Sequence, residues 1–347
     1  MTKLVIDEEL IKKARENERK RDAFKDLPEK TVKLPDNKGI KPITDYLDGY
    51  YKTLGDGTTK YLGIETGIKE LDNATLGLDG LIILGGIAGQ GKTSLALQVS
   101  YMACELDTPV LFYSLEMPRR AIITKIFSRL SKVPYGTILL NGRSLLDGTY
   151  EEEPADLDNG FNFSDKQTNK ITEAKESIEA LGDSFYIRTR EAGEKEIDFK
   201  TVEEETNKVK AKHNSKRVLV VIDHLQVFQA GEYKDQLDKE NKLITNFKEI
   251  SERTGATIIL ISQKNKAGFK GRGSLEEIKG SVDIVYLADL VMFLQEKNEG
   301  EKQIYSNPEL NRDIDLLIVK NRYNAPTKIA FDFDGASGSF TVNKTRQ

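Results

Sequence analysis

Residues 80–94, which read GLIILGGIAGQGKTS, constrain the possible folds of this chain more than any other stretch. An apolar run leads into the pattern GxxxxGKT, which begins at Gly86 and is followed by the helix-like sequence SLALQVSYMA. A strand, a glycine-rich loop and a helix start in this order are typical of a phosphate-binding loop. The alternative is a glycine-rich turn that matches by chance, but it does not account for the flanking strand and helix.

The side chains of this loop indicate how a nucleotide would be held. Glycines let the backbone N–H groups point inward at phosphate oxygens, and the N-terminus of the following helix adds positive potential. We expect the Lys92 ammonium to reach the β- and γ-phosphates and the Thr93 hydroxyl to hold Mg²⁺. The predicted nucleotide-binding residues are Gly86, Gly89, Gly91, Lys92, Thr93 and Ser94.

The composition limits the kinds of partner. The chain has 347 residues, of which 38% are apolar and 31% charged, so it can bury a sizeable core and remain soluble. Acidic residues outnumber basic ones by 56 to 52, which gives a net charge of −4. Any contact with nucleic acid therefore has to come from a local basic patch.

Three features predict a cytoplasmic protein. Cys104 is the single cysteine, which rules out an internal disulfide and fits a reducing compartment. The sequence has no apolar run approaching the roughly 18 residues of a membrane helix. The start, MTKLVIDEEL, is too short and too acidic for a signal peptide. We expect no membrane partner.

Short apolar runs alternate with amphipathic stretches along most of the chain. Strands are predicted at 81–84, 109–114, 185–188, 217–222, 256–261, 289–294 and 314–319. Helices are predicted at 92–105, 118–132, 168–181, 199–212 and 238–254. This alternation favours an α/β fold with a mainly parallel central sheet flanked by helices. The last stretch, TKIAFDFDGASGSFTVN, predicts a C-terminal β-hairpin that turns at Asp334-Gly335.

Two regions depart from this pattern. Residues 1–58 contain a charged helix, predicted over 5–25, and a linker with several prolines, ahead of a main domain at 59–347. That helix is either disordered or docked on the main domain or on a neighbouring copy. Residues 144–166 are rich in acidic side chains, and we interpret them as an acidic surface insertion in the main domain.

Polar residues near the ends of three predicted strands extend the site. Asp223 ends the strand RVLVVID, where a carboxylate can hold the Mg²⁺ shell. Glu116 follows the strand VLFYSL and could orient or deprotonate an attacking water, although a helix cap is the alternative. Gln263 ends the strand IILISQ, where its amide could sense the γ-phosphate or simply be a polar strand end.

A series of sequence motifs narrows the prediction from a nucleotide-binding protein to one protein family. ETGIKELD, GGIAGQGKTS, FYSLEM, VIDHLQVF, ISQKNK, GSVDIVYLADLVMF and IVKNRYNAPTKIAFDF follow one another from about residue 61 to residue 343. Together they resemble the C-terminal ATPase domain of the replicative DnaB-type DNA helicases, a RecA-like P-loop NTPase. FYSLEM, IDHLQ, ADLVMF and KNRYNAPT are distinctive, because a generic RecA-like ATPase would share only the loop and the aspartate.

The resemblance implies a hexameric motor with ATP bound between neighbouring subunits, which moves 5′–3′ on single-stranded DNA. Its cofactors would be ATP and Mg²⁺. By motif, Lys92 and Thr93 would bind the phosphates and the metal, and Asp223 would hold the metal. Glu116 would activate water, and Gln263 would sense the γ-phosphate.

Two basic residues of the KNR segment have a separate implied role. Lys320 and Arg322 would project from one subunit into the ATP site of the next, where such an arginine finger stabilises charge in the transition state. Without the resemblance they would be an exposed pair on an edge strand.

The stretch QKNKAGFKGRG is basic and glycine-rich. It directly follows the predicted sensor strand, so it is well placed to grip the phosphates of single-stranded DNA in the centre of a ring. The alternative is a solvated basic loop. The predicted DNA-binding residues are Lys264, Lys266, Lys270, Arg272 and Lys279.

Three departures from the family pattern accompany the resemblance. The roughly 60 residues before the main domain cannot hold the helical N-terminal domain that meets primase, so the chain is a core without that domain or part of a longer protein. Glu277 stands near the position where a DNA-contacting arginine is usual. His224 replaces an aromatic residue, which we interpret as a packing substitution.

The leading hypothesis is an ATP-dependent helicase core that works as a homo-hexamer on single-stranded DNA. Primase or a helicase loader would be its further partners. Two alternatives remain at this point. One is a RecA-like recombination or repair ATPase that forms filaments, and the other is a non-unwinding ATPase of a mobile element that binds a replication factor.

Overall fold

The computed structural model describes residues 42–45, 47–48, 60–140, 163–191, 196–228, 231, 233–263, 286–297 and 311–346. The chain divides into two compact units, Met1–Thr59 and Lys60–Gln347. In the first unit, the described residues form a short helical turn that begins with a hydrogen bond from the Asp45 N–H to the Pro42 carbonyl. The predicted helix at 5–25 and nearly all of the predicted acidic insertion lie outside the described residues.

One sheet organises the described part of the second unit. Its nine strands lie in the order β3-β2-β4-β5-β1-β6-β7-β8-β9, parallel from β3 to β6 and antiparallel from β6 to β9. The strands are β1 Leu81–Gly86, β2 Val110–Ser114, β3 Phe185–Thr189, β4 Leu219–Asp223, β5 Thr257–Gln263, β6 Leu290–Glu296, β7 Arg312–Asn321, β8 Thr327–Asp334 and β9 Ser339–Val342.

Helices connect the parallel strands and cover the two faces of the sheet. They are α1 Lys69–Thr75, α2 Lys92–Glu105, α3 Arg119–Ser131, α4 Tyr135–Leu139, α5 Asp165–Ala180, α6 Phe199–Lys212 and α7 Gln236–Thr254, with a 3₁₀ turn at Leu225–Val227. The predicted mainly parallel α/β fold and the predicted strands and long helices are confirmed. The short helices α1 and α4 and the 3₁₀ turn were not predicted, because too few residues carry a periodic signal.

The central strands are continuously buried, and they are apolar up to their carboxyl ends. Every residue of β1, β2 and β4 is buried, which is the pattern expected for parallel strands beneath two layers of helices. The register pairs Gly86 with Gln263 and Ser114 with Asp223. The carboxyl ends of four strands therefore meet at one edge of the sheet, where ligands bind in open α/β folds.

Helix α2 begins directly after the glycine-rich loop, and Gly91 at its N-cap is required for two reasons. Its backbone has a φ of +84°, and a Cβ there would lie 2.8 Å from the Phe340 ring and 3.0 Å from the Phe333 ring. Any other residue would be strained and would also displace the rings from β8 and β9. The C-terminal strands are therefore packed against the loop.

The predicted C-terminal hairpin is confirmed. Strands β8 and β9 are antiparallel, and the Asp334 side chain accepts the N–H group of Ala336 within the connecting turn. The Gln98 side chain of α2 makes two hydrogen bonds of 2.9 Å with the backbone of Phe340. The hairpin is thus fixed to the helix that follows the glycine-rich loop.

Three phenylalanine rings anchor α6 and α7 against the 3₁₀ turn. The Phe247 ring lies 5.2 Å from the ring of Phe199 and 5.0 Å from that of Phe228, in edge-on contacts. Phe247 and Phe228 are fully buried. Such contacts add to the burial of large apolar area.

We expect Phe247→Ala to lower the free energy of unfolding by about 3–5 kcal/mol, because the removed ring leaves a cavity. Urea unfolding followed by circular dichroism would measure this as a lower midpoint. The matched control is Leu237→Ala on the same helix, where the side chain is 47% exposed, and its expected change is below about 0.5 kcal/mol. Equal effects of the two substitutions would contradict the packing described here.

Candidate active site

A cleft of about 610 Å³ lies at the carboxyl ends of the parallel strands. It brings together most of the residues that the sequence predicted for nucleotide and metal binding. The predicted residues that line it are Gly89, Gly91, Lys92, Thr93, Ser94, Glu116, Asp223 and Gln263. Gly86 lies just beneath, at the end of β1, where its carbonyl accepts a hydrogen bond from Lys92.

Lys92 is folded back across the loop. Its ammonium donates to the carbonyl of Gly86 at 2.9 Å and to that of Ile87 at 2.8 Å. Because burial disfavours the charged form, the pKa of Lys92 is lowered to about 8, although Asp223 and Glu116 oppose this shift. A buried cation held by two carbonyls at the loop is suited to an incoming phosphate, which would supply the missing negative charge.

A hydroxyl and a carboxylate meet beside Lys92. The Thr93 hydroxyl donates to the Asp223 carboxylate at 2.9 Å, and Asp223 is 3% exposed at the end of β4. Burial raises the pKa of Asp223, while the hydrogen bond from Thr93 opposes the shift.

This pair fits Mg²⁺ bound together with a nucleotide. Magnesium sites commonly combine one or two carboxylates with phosphate oxygens and waters. In the part of the chain that the structure describes, there is no group of three or more His, Cys, Asp or Glu residues that could hold a metal ion. The Thr93 hydroxyl and the Asp223 carboxylate lie together in the cleft, an arrangement that can share such an ion with phosphates.

Glu116 projects into the cleft from the segment after β2. Its side chain is 63% exposed, and its carboxylate lies 3.0 Å from Nε2 of His224. The first turn of α3 uses a different carboxylate, since the N–H of Arg119 donates to Glu191 at 2.9 Å. The helix-cap alternative for Glu116 therefore has no hydrogen bond to support it.

His224 has polar partners on both ring nitrogens. Besides the Glu116 carboxylate on Nε2, the Gln226 side-chain oxygen lies 3.1 Å from Nδ1. The interpretation of His224 as a packing substitution was therefore incomplete, because packing alone does not describe these contacts. The sequence does not reveal the contacts of His224, because they form only once the 3₁₀ turn is folded beside β5.

Gln263 is the last residue of β5 and lines the same cleft. Its side chain is exposed, whereas its backbone is held by Gln226 through a 3.2 Å bond from the Gln263 N–H. An amide at this position is free to approach a γ-phosphate while its own strand end stays anchored.

Two basic residues of the cleft were not predicted. Lys125 on α3 lies 5.0 Å from the Tyr135 ring, and burial lowers its pKa. Arg312, the first residue of β7, donates to the Gly89 carbonyl at 3.0 Å and lies over the Phe333 ring. No motif marks these positions, because each reaches the cleft from an element distant in sequence from the loop.

Lys320 and Arg322 lie away from this cleft, at the far end of β7. Lys320 donates to the carbonyls of Ala288 and Tyr286 at 2.6 and 3.1 Å, while Arg322 lies 2.6 Å from the buried carboxylate of Asp289. Lys320 lies eight positions along the extended strand from Arg312 in the cleft, a span of roughly 27 Å. The chain therefore does not bring the predicted finger residues to its own loop.

The predicted DNA-binding residues, Lys264, Lys266, Lys270, Arg272 and Lys279, lie outside the described residues. Their role stays a prediction. Among the described residues, no helix combines the length and the apolar character needed to cross a membrane.

Comparison with known proteins agrees with this architecture. A family model described as "DnaB-like helicase C terminal domain" matches residues 63–342. The replicative DNA helicase DnaB of Mycoplasma genitalium is 23% identical over 311 residues, which are 86% of this chain and 60% of that protein. The DnaB of Leifsonia xyli is 26% identical over 290 residues, covering 80% of this chain and 55% of that protein. The chain thus spans little more than half the length of these relatives.

Two solved structures share the fold. One, described as an ATPase domain, superposes with a TM-score of 0.71 at 20% identity and covers 88% of this chain and all of that one. A DnaB-like replicative helicase, solved in work on its interactions with primase, gives a TM-score of 0.67 at 19% identity, with 87% of this chain and 67% of that chain covered. At these identities the likeness concerns the fold.

Proposed function

Because the chain belongs to the family of DnaB-like helicase C-terminal domains, we propose that it is the ATP-hydrolysing motor core of a replicative DNA helicase. The motor assembles as a homo-hexameric ring and moves along single-stranded DNA. The observation that supports this most strongly is that the basic residues predicted to act on the phosphates lie at two separate places in one subunit. Lys92 lies in the cleft, whereas Lys320 and Arg322 lie at the other edge of the sheet.

Within one subunit, the cleft supplies the nucleotide-binding half of the reaction. Lys92 and the backbone of the loop bind the β- and γ-phosphates, and Thr93 and Asp223 would hold a magnesium ion. When bound, that ion would supply positive charge to neutralise charge developing on the phosphates. Glu116 orients the attacking water and accepts its proton, and Gln263 contacts the γ-phosphate.

The second half of the site comes from the next subunit. Arg322 and Lys320 approach the γ-phosphate from the neighbour and stabilise the charge that spreads over its oxygens in the transition state. A site divided in this way keeps the isolated subunit a poor ATPase. It also couples hydrolysis to ring assembly.

The neighbouring structure solved with attention to primase suggests primase, or a helicase loader, as a further partner of the assembled ring. DNA contact is assigned to the basic stretch after β5. The proposed location is the cytoplasm, where replicating DNA of a bacterium or its mobile elements is found.

ATP hydrolysis with and without a single-stranded oligonucleotide tests the proposal, followed by strand separation on a forked duplex. We expect DNA-stimulated hydrolysis and ATP-dependent unwinding under conditions that assemble rings. DNA-independent hydrolysis with no unwinding would overturn the motor and favour a partner-binding ATPase. Helical filaments on DNA in electron micrographs would favour a recombination ATPase.

The affinity for MgATP is expected to fall as the pH rises above about 8. The pKa of Lys92 in the free protein is lowered to about 8, and a bound phosphate raises it again. Below that pH the lysine is already charged and the affinity is flat. Above it, binding must also take up a proton, so the dissociation constant rises by up to about tenfold per pH unit.

A fluorescent ATP analogue titrated between pH 7 and pH 9.5 measures this dependence. The γ-phosphate is already ionised across this range. Lys92→Arg is the matched control, because a guanidinium stays charged throughout, and its affinity should not vary with pH. A flat affinity in the wild type over the whole range would contradict the assignment of Lys92.

A further inference from the structure

Gln226 lies in the 3₁₀ turn after β4 and joins several groups through one side-chain amide. Its oxygen accepts the N–H of Gln263 at 3.2 Å and lies 3.1 Å from Nδ1 of His224. Its nitrogen donates to the Ser262 hydroxyl at 3.0 Å and to the Gln263 carbonyl at 3.3 Å. The amide thus uses both of its ends, and three of its four contacts are with the last two residues of β5.

His224 continues this connection to the cleft. Its ring is largely buried, and Nε2 lies 3.0 Å from the Glu116 carboxylate, which is otherwise exposed. Within the described part of the chain, this contact is the one that holds the carboxylate at the side of the cleft. A continuous series of contacts therefore runs from the end of β5 through Gln226 and His224 to Glu116.

The backbone of the turn is held independently of these side chains. Lys239 on α7 donates to the Gln226 carbonyl at 2.8 Å, and Arg190 donates to the Val227 carbonyl at 2.8 Å. Leu225 and Phe228 are fully buried on either side. The backbone of the turn is therefore fixed. The side chains of His224 and Gln226 can transmit a displacement of β5 to Glu116 while the backbone of the turn stays in place.

We propose that Gln226 and His224 are positioning residues that make the orientation of the Glu116 carboxylate depend on the position of the end of β5. This inference rests on the proposed ATPase function. Gln226 does not line the nucleotide cleft, whereas the His224 ring lies at its wall. Gln226 holds the strand end and the imidazole, and the imidazole holds the carboxylate. A shift of the strand end moves the amide, because the bond from the Gln263 N–H ties the two together.

The end of β5 is adjacent to two regions with proposed functions. Gln263 lines the nucleotide cleft, and the predicted DNA-binding stretch begins at the next residue, Lys264. Along the chain, strand β5 therefore connects the nucleotide cleft directly to the predicted DNA-binding stretch. DNA binding would change the rate of ATP hydrolysis by changing the orientation of Glu116. A misplacement of about 1 Å in a reacting group can cost about 10²-fold in rate.

The test uses the full chain with MgATP, with and without a poly-deoxythymidine oligonucleotide. Gln226→Met keeps the length of the side chain and removes its hydrogen bonds. We expect it to lower kcat in the presence of DNA at least about tenfold and to abolish most of the DNA stimulation. The KM for ATP and the affinity for the oligonucleotide should stay within about twofold, since neither binding surface changes.

Two further variants separate a positioning role from a general structural one. Gln226→Glu keeps oxygens that can accept from the Gln263 N–H, from His224 and from the Ser262 hydroxyl. It loses the contact with the Gln263 carbonyl, to which a carboxylate cannot donate, so it should recover part of the lost rate. His224→Phe breaks the link one step nearer to Glu116 and should lower kcat in the same way. The double variant with Gln226→Met should lose no more than either alone, because both changes break one series of contacts.

The outcomes are distinct. If Gln226→Met has the kcat and the DNA stimulation of the wild type, this inference is overturned while the proposed function stands. The same holds if the losses of kcat in Gln226→Met and His224→Phe add fully in the double variant. A wild type without ATP hydrolysis in the presence of DNA overturns the proposed function and this inference with it. If thermal unfolding shows that Gln226→Met does not fold, His224→Phe decides by its kcat and its DNA stimulation, because a residue that lines the cleft can also change the KM for ATP.

Discussion

Arg322→Ala is expected to reduce ATP hydrolysis by about 10³-fold or more, with little change in ATP binding. In the structure, Arg322 is 50% exposed and paired with Asp289 at the edge of the sheet opposite the cleft. In the proposed site it therefore acts on the γ-phosphate bound by a neighbouring subunit. A steady-state phosphate-release assay measures the loss, and a fluorescent ATP analogue measures the retained affinity.

Mixing two inactive variants tests whether the finger acts between subunits. In mixed rings, a subunit with Arg322→Ala keeps its own Lys92, while a subunit with Lys92→Ala can lend its Arg322. Some interfaces are then complete, and partial hydrolysis should return. No recovery in mixtures that still assemble would place Arg322 outside the reaction.

Arg253→Ala provides a matched control for Arg322→Ala. Arg253 is 51% exposed and pairs with Glu203 and Glu249, so it resembles Arg322 in exposure and ion pairing. It lies on α7 rather than beside Asp289. Removal of an exposed ion pair costs little, and hydrolysis should remain at the wild-type level. A comparable loss in both variants would show that the effect of Arg322 is not specific to its position.

Glu116→Gln is expected to lower kcat by about 10²–10⁴-fold, because the amide cannot accept a proton from the attacking water. The substitution keeps the size of the side chain and a polar contact with His224. ATP binding should be retained, since the proposed phosphate contacts are with Lys92 and the loop. Single-turnover hydrolysis measures the rate without interference from product release.

Glu191→Gln is the control for this substitution. Glu191 accepts the N–H of Arg119 and pairs with its guanidinium at 3.0 Å, so it supports the start of α3 without lining the cleft. Loss of the Glu191 negative charge should leave kcat near the wild-type value. If Glu116→Gln hydrolyses ATP within about threefold of the wild type, Glu116 is not the general base.

Much of the fold could be predicted because its signals are local. β1, β2 and β4 are apolar up to their carboxyl ends, and α7 has an apolar stripe that ends at Gly255, whose backbone is left-handed. The glycine-rich loop is a contiguous motif. Once parallel strands are inferred, their carboxyl ends must lie together, so the grouping of the predicted cleft residues follows from topology.

The contacts that could not be predicted join elements distant in sequence. Arg312 reaches the Gly89 carbonyl because β7 runs antiparallel to β6, which no local pattern reveals. Gln226 meets the end of β5 because a 3₁₀ turn of three residues places it there. Side-chain pairing of this kind depends on the register between strands, to which residue types alone are a weak guide.

Electron cryomicroscopy of the wild type with a slowly hydrolysed ATP analogue and a single-stranded oligonucleotide tests the intersubunit site most directly. We predict closed six-subunit rings in which the Arg322 guanidinium has exchanged Asp289 for the γ-phosphate on the neighbouring subunit. Thr93, Asp223 and Glu116 of that neighbour would surround the same nucleotide. Nucleotide bound in every cleft of fully assembled rings, with Arg322 still on Asp289 and far from any phosphate, would contradict the account.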